Sequence, residues 1–399
     1  MSIIANHLTD VKPSAVSVMS ARAMELERQG RDIVRLTAGE PDFAPPEHVK
    51  KAVEEAVAAN QSKYPPVIGL PELREAVCEK LARDNRLDYA PEQVIVSSGC
   101  KQVLFNAMAA TLDPGDEVLL PMPYWMSYPA MVRLNRGTPV IVPAQPEDGF
   151  KLQPEALEQA ITSRTKWLFI NSPNNPSGAV YSEADLSRLA EVLVRHPHVW
   201  VMSDDIYEFL VFGSRRFAGL LNVAPELADR TLVVNGFSKT FCIPGWRVGY
   251  GAGPVDLIKA MFKIQTQSTS GANILAQHAG VAALRGDQGF LQDHLADYDR
   301  RRELMVSRIN AMDGLACRNP EGAFYCLVSN ADLIGRKTPS GAVVATDQDW
   351  VNYLLDRGVA VVPGAPFGLN SFFRISFAAS EKQLIKGCDR IAEAIDQLG

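Results

Sequence analysis

The six cysteines, Cys78, Cys100, Cys242, Cys317, Cys326 and Cys388, fall at no paired or metal-ligand spacing, and the six histidines do not cluster. That pattern excludes a disulfide framework and gives no legible metal centre, so reduced thiols and no metal are expected. Basic runs are equally scarce. Lys and Arg number 40 against 46 Asp and Glu, a formal net charge of -6, which argues against nucleic acid or an anionic membrane as the main partner. No apolar window reaches the length of a membrane span, and the start, MSIIANHLTDVKPSA, lacks a charged opening followed by a long apolar core. A cytoplasmic location is the expectation. What the chain does have is 399 residues, 47% of them hydrophobic, which is enough for an ample core and, most naturally, two domains.

An amphipathic helix is predicted near Ser14 to Gln29, followed by a short apolar run, Ile33 to Leu36, that opens into Thr37-Ala-Gly-Glu-Pro-Asp42. Gly39 beside Pro41 marks a turn there. Two helices follow, started by Pro46 and Pro71, with Lys63 to Gly69 as a loop between them. From Val94 to about Ala283 short apolar runs alternate with helical segments, the pattern of an α/β unit whose mainly parallel sheet is covered on both faces. The runs are Val94 to Val96, Val118 to Leu120, Val140 to Val142, Trp167 to Ile170, Val199 to Met202 and Thr231 to Val234. A long helix from Phe290 to about Met312 carries Arg300, Arg301 and Arg302, read as a solvated face. Beyond Cys317, the segment EGAFYCLV, a helix from Gln348 to Arg357, the strand-like GVAVVPG and FFRISFA, and a last helix from Glu381 make an α+β unit.

Several apolar runs hand over to polar or glycine-containing turns: Ser97 to Lys101, Asn171 to Gly178, Ser203 to Tyr207 and Gly236 to Lys239. Ligands bind outside the carboxyl ends of strands in an open parallel sheet, so these turns are placed to line one crevice. Lys239 is either a solvated loop lysine or an amine whose desolvation lets it form a Schiff base with a carbonyl compound near neutral pH. Arg247 offers a planar fork suited to a phosphate. Gly99, Cys100 and Lys101 open a helix, and exposed N–H groups at a helix start form an anion site. Asp204 caps a turn or helix, or pairs with a ring nitrogen. Trp125 in PMPYWMSYP stacks on a ring or packs as core. Asn175 and Tyr207 hydrogen-bond a ring hydroxyl or serve turn and packing. A Schiff-base lysine, an acid for a pyridine nitrogen and a phosphate cradle are together what pyridoxal 5'-phosphate requires of a protein.

Eleven motifs then run in order over nearly the whole chain: KPSA at Lys12, TAGEPDF at Thr37, KYPPVIGLPELREA at Lys63, GCKQVLFNA at Gly99, DPGDEV at Asp113, PYWMSYP at Pro123, NSPNNPSG at Asn171, SDDIYE at Ser203, SKTFCIPGWRVGY at Ser238, EGAFY at Glu321 and FRISFA at Phe373. With them the chain resembles the class I, fold-type I pyridoxal-phosphate aminotransferases, and within these the bacterial aspartate and aspartate/prephenate subgroup. The resemblance implies a large α/β domain with a mainly parallel sheet, plus a smaller α+β domain built from both chain ends. Residues 1–45 would be the N-terminal segment of the small domain, 46–295 the large cofactor-binding domain and 296–399 the C-terminal small domain.

The same resemblance implies roles for single residues. Lys239 would bind the cofactor, Asp204 would pair with its ring nitrogen, Asn175 and Tyr207 would contact the ring hydroxyl, and Trp125 would stack on the ring. Lys239, Asp204 and Tyr207 form the catalytic set. The phosphate would be held by Arg247, by the N–H groups of Gly99, Cys100 and Lys101, and by Tyr64 reaching over from the second subunit of a homodimer. Arg374 would take the substrate α-carboxylate, with Trp125 and Asn175 beside it, and Gly39 would close over the substrate. Lys101 has two readings: neutralising the phosphate, or meeting the distal carboxylate of an acidic donor. The implied activity is amino transfer from an amino acid, aspartate or glutamate first, to a 2-oxo acid such as 2-oxoglutarate, by ping-pong half-reactions. Aromatic donors or prephenate are the runner-up, and a lyase or decarboxylase on the same cofactor is the nearest alternative within the fold. A non-catalytic regulator would need an added DNA-binding domain, for which no residues are left over. The chain departs from many relatives at Phe241-Cys-Ile-Pro244, and Val16 stands where a threonine follows KPSA. The second change bears on specificity, because that threonine lies near the distal carboxylate in the family.

Overall fold

The computed structural model describes residues 3–5, 8–9 and 11–399. In chain order the strands are β1 (Val34–Arg35), β2 (Val94–Ser97), β3 (Glu117–Pro121), β4 (Thr138–Val142), β5 (Thr165–Asn171), β6 (Trp200–Asp204) and β7 (Thr231–Gly236). They continue with β8 (Gly249–Ala252), β9 (Ala316–Cys317), β10 (Tyr325–Ser329), β11 (Val359–Ala360), β12 (Val362–Pro363) and β13 (Phe372–Ser376). The first four helices are α1 (Ala15–Arg28), α2 (Glu47–Ala58), α3 (Pro71–Asn85) and α4 (Cys100–Thr111).

The large sheet has the order β2-β8-β7-β6-β5-β3-β4, with β8 antiparallel to both neighbours and the other pairs parallel. Parallel neighbours need helical crossovers, so both faces of the inner strands are covered and those strands are largely apolar, while the edge strand β4 leaves Thr138 and Ile141 exposed. Alternate residues of β5 enter opposite layers. Leu168 and Ile170 pack with Leu73 and Val77 of α3 and with Leu193 and Ala279, whereas Trp167 and Phe169 pack with Val103 and Leu104 of α4 and with Ile258 and Met261. Each fully buried aliphatic side chain of this kind contributes about 1.5–3 kcal/mol.

The smaller sheet is antiparallel in the order β12-β13-β10-β9, and β1 pairs in parallel with β11, which ties the N-terminal segment to the C-terminal part. Period-two alternation along β13 sends Phe373 and Ile375 into this core and leaves Arg374 facing a cleft between the two sheets. The helix Phe290–Asn310 runs unbroken across the expected boundary at 295. Among the described residues no helix is long and apolar enough to cross a membrane, and all six cysteines are free.

Two expectations are corrected. Only part of the basic run is a solvated face: Arg300 is exposed, but Arg301 is 8% exposed, pairs with Asp42 at 2.8 Å and lies over the rings of Phe43 and Tyr298, and Arg302 lies over Phe212. Their aliphatic stems and flat guanidinium groups cover aromatic surface, which a charge count along the sequence does not register. The six expected runs also omit a strand of the large sheet, β8. Its glycines hid it, and they are there for packing: a Cβ on Gly249 would sit 2.7 Å from the Cys100 nitrogen, so only glycine lets β8 run this close to the start of α4.

Candidate active site

The carboxyl ends of the parallel strands, the start of α4, α1 and the open face of β13 surround a cleft of about 850 Å³. It is lined by Gly39, Cys100, Lys101, Trp125, Asn175, Asp204, Tyr207, Lys239, Arg247 and Arg374, so the fold gathers these residues from seven separate motifs. Lys239, in the turn after β7, points its Nζ at the Gly39 carbonyl and donates to it. Burial pulls its pKa down to about 8, against the opposing influence of Cys100 and Glu40 and with a smaller push from Arg374 and Arg247.

Asp204 closes β6. Its Oδ2 accepts from the Tyr128 hydroxyl at 2.6 Å, while Oδ1 is buried without a partner. Burial raises its pKa to about 6, although the Tyr128 bond, the Ile206 amide and the charge of Lys239 all favour the ionised form. A buried acceptor without a donor is costly, so this oxygen is built to receive a donor from the cleft. Arg374 is its cationic counterpart. It is 1% exposed, donates from Nη1 to Asn175 Oδ1 (2.9 Å) and from Nη2 to the Thr37 carbonyl (2.8 Å), and lies over the Tyr325 ring at 4.3 Å. Its Nε is buried and unpaired, and among the described residues no carboxylate pairs with it. A buried cation held only by neutral groups calls for an anion. Asn175 is thus engaged by Arg374, and the Tyr207 hydroxyl shares a 2.8 Å hydrogen bond with that of Tyr325.

At the other end of the cleft α4 begins. Gly99 precedes it at φ 85°, a left-handed conformation that glycine adopts freely, and a Cβ there would meet Arg247 Nη2 at 2.8 Å. Of the three amides expected at the phosphate, that of Gly99 is already committed to the Ser97 carbonyl at 2.7 Å. Those of Cys100 and Lys101 occupy the first two helical positions, where no intrahelical acceptor exists. Arg247 donates to the carbonyls of Pro244 (2.9 Å) and Ser98 (3.2 Å), so its guanidinium stands beside these amides. Lys101 is exposed to the cleft with its Nζ 4.7 Å from the centre of the Trp125 ring. Surrounding protein, and secondly the charge of Arg247, lowers its pKa. Val16 lines the same cleft together with Ser14 and Ser17 of the N-terminal segment.

Tyr64 is the candidate that does not join them. It is 93% exposed in the segment between α2 and α3 and lies outside the cleft lining. Conversely, the sequence reading passed over Tyr128 and Tyr325. Both sit in motifs it had singled out, PYWMSYP and EGAFY, but a tyrosine in an apolar run reads as packing until its hydroxyl is seen on an acid or on another site residue.

An amine poised near neutrality, a carboxylate oxygen awaiting a donor, two amides beside a guanidinium and a buried arginine without a counter-ion all line one cleft. This set fits a phosphorylated pyridine aldehyde together with an amino acid. Comparison with known proteins points the same way. The family model described as aminotransferase class I and II matches residues 31–391. The chain is 51% identical over 392 residues, covering 98% of both chains, to the aspartate/prephenate aminotransferase of Cereibacter sphaeroides. Its structure matches the crystal structure of the aspartate aminotransferase from Rhizobium meliloti with a TM-score of 0.97 at 48% identity over 100% of both chains. It matches the Thermus thermophilus aspartate aminotransferase solved with maleate at 0.92 and 43% identity, over 99% and 100% of the two chains.

Proposed function

The chain belongs to the class I and II aminotransferases, and on that premise we propose that it moves the amino group of aspartate or glutamate to a 2-oxo acid such as 2-oxoglutarate, with pyridoxal 5'-phosphate as cofactor and a cytoplasmic homodimer as the working unit. The observation that carries this reading is the placement of Lys239, with its depressed pKa, and the unpaired Asp204 oxygen in the same cleft as Arg374. The cofactor, when bound, supplies an aldehyde that takes up the amino group and a ring that withdraws the electrons left at the donor α-carbon. Lys239 would anchor it and, as a free amine once a donor is bound, would take the proton from the donor α-carbon onto its Nζ. Asp204 holds the ring-nitrogen proton through Oδ1, and Tyr128 fixes the other oxygen. Arg374 grips the α-carboxylate through Nε and a terminal nitrogen. Arg247 and the amides of Cys100 and Lys101 hold the phosphate, with Tyr64 contributed by the second subunit. Asn175 and Tyr207 meet the ring hydroxyl, Trp125 covers the ring, and Gly39 closes over the substrate.

Preference for a dicarboxylic donor rests on Lys101 at the cleft wall, and it agrees with a neighbour named for aspartate and another solved with maleate, itself a dicarboxylate, while the Cereibacter sphaeroides relative is named for both aspartate and prephenate. Val16 favours the second reading, an aromatic donor or prephenate, because it makes that wall more apolar. A screen of amino donors, followed by the absorbance change as the aldehyde form of the cofactor becomes the amine form, separates the two. A charge-assisted hydrogen bond contributes about 1.5–3 kcal/mol, so Lys101→Ala is expected to lower the aspartate-to-phenylalanine ratio of kcat/KM by about ten- to a hundredfold. An unchanged ratio would leave Lys101 a phosphate residue only, and a protein that converts no donor would remove the aminotransferase reading.

A further inference from the structure

Directly behind two of the strand ends that carry the site, and outside the cleft lining, lies a buried polar cluster. Glu208, in the turn after β6, is 6% exposed and its carboxylate takes three donors. Oε1 accepts from Lys80 Nζ of α3 and from Asn235 Nδ2 of β7 (2.7 Å), and Oε2 accepts from Asn85 Nδ2 (2.8 Å). Lys80 is 2% exposed, also donates to Asn85 Oδ1 at 2.6 Å, and lies over the Phe209 ring at 5.2 Å. Buried ion pairs can often be replaced by apolar residues without loss of stability, so stability alone does not account for one here.

Its position in the chain does. Glu208 directly follows Tyr207 in the turn that begins at Asp204, and Asn235 lies just ahead of the turn that carries Lys239. In the β6–β7 ladder Asp204 is paired with Val234, and the Asp205 amide donates to the Val234 carbonyl at 2.9 Å. The Glu208–Asn235 bond therefore continues that ladder through side chains, past the point where the backbone strands part. Asn235 Oδ1 also accepts from the Gly236 amide at 2.7 Å, which fixes the start of the lysine turn.

We propose that Glu208, held by Lys80 and Asn85, is a positioning residue that sets the Asp204–Tyr207 turn against the Lys239 turn through its hydrogen bond to Asn235. This rests on the aminotransferase reading, in which Asp204 and Lys239 grip the same cofactor from two strands, and a misplacement of about 1 Å between such groups can cost about a hundredfold in rate.

The test uses cofactor-loaded Asn235→Ala, which breaks the link between the turns while leaving Lys80 and Asn85 on Glu208. The expected result is a fall in kcat of about ten- to a hundredfold with donor KM within about threefold of wild type, together with a moved visible absorption maximum of the bound cofactor and faster cofactor dissociation. Asn235→Ser, whose hydroxyl is too short to reach Glu208, is the second variant and is expected to behave alike. A loaded variant with wild-type kcat, spectrum and cofactor release overturns the proposal. So does a variant that only melts earlier, or failure of both to fold, since the cluster would then be a folding element. Wild-type protein that converts no amino donor counts against the aminotransferase reading, whereas a working wild type with indistinguishable variants counts against the clamp alone.

Discussion

An ionised carboxylate with one oxygen unpaired inside the protein weakens the fold that contains it, and Asp204 illustrates the size of the conflict. Its pKa of about 6 in the folded chain stands above the ordinary aspartate value of 3.8. The folded protein therefore binds this proton more tightly than the unfolded one, and the group's contribution to stability falls as pH rises from about 4 to about 6, then stays at its lowest. The full difference is at most about 3 kcal/mol, from about 1.4 kcal/mol per pKa unit. Asparagine keeps an acceptor for the Tyr128 hydroxyl and carries no charge. Cofactor-free Asp204→Asn is expected to be more stable than wild type at pH 7 by about 1–3 kcal/mol, with the gain disappearing towards pH 4, as urea denaturation at the two pH values would read. Amino transfer in the same variant should fall by about a hundredfold or more, because a neutral amide cannot hold a proton on the ring nitrogen. A variant that is less stable at neutral pH, or that keeps its activity, contradicts the role given to Asp204. Lys239 carries the converse conflict: its lowered pKa makes the group stabilise the fold increasingly as pH rises from about 8 towards the ordinary lysine value of 10.5.

At the scale of single elements, β8 decides how close the anion site stands to the lysine turn. It is inserted antiparallel between β2 and β7, with Gly249 paired to both Ser97 and Gly236. Adding a Cβ at Gly249 would place it 2.7 Å from the Cys100 nitrogen and 2.9 Å from the Gly99 carbonyl carbon, both backbone, so strand and helix must separate. Gly249→Ala is expected to cost about 1–3 kcal/mol by overpacking and to weaken cofactor binding measurably, whereas Gly245→Ala, with open space around the added methyl, should leave the urea midpoint unchanged. Equal midpoints for both variants would show that the close approach does not matter. This strand also marks the limit of what the sequence disclosed. Five of the six apolar runs were legible because strands buried on both faces are apolar along their length, the edge run Val140 to Val142 was legible by its β-branched residues alone, and several turns after the runs were legible because ligand-binding strand ends are polar. β8 was hidden because its alternate glycines pack through absent side chains. The buried arginines of Phe290–Asn310 and the cluster of Lys80, Asn85, Glu208 and Asn235 were hidden for a related reason: charge and polarity along a chain give no sign of partners far away in it. Tyr128 was hidden by chemistry shared with ordinary core tyrosines.

Across the whole molecule, one residue is out of place in a single chain. Tyr64 sits in the motif KYPPVIGLPELREA yet points almost wholly into solvent, away from the cleft whose phosphate end it is proposed to complete. Two-fold association brings the same surface of each subunit against the other, so a residue useless to its own site can complete its neighbour's. If Tyr64 acts this way, Tyr64→Phe removes a hydroxyl donor to a charged phosphate, and cofactor affinity should weaken by about ten- to a hundredfold. Lys239→Ala removes the anchoring amine but leaves Tyr64 in place. Mixing the two variants then creates hybrids in which the intact Lys239 of one chain faces the intact Tyr64 of the other. Random pairing in an equal mixture gives half hybrids with one complete site each, so about one quarter of all sites should regain tight binding. Borohydride fixation at low cofactor concentration, followed by peptide mapping of the label on Lys239, reads that fraction directly. No rise on mixing, despite subunit exchange verified with tagged chains, would place Tyr64 outside the partner's site. An active monomer by light scattering would remove the shared site altogether.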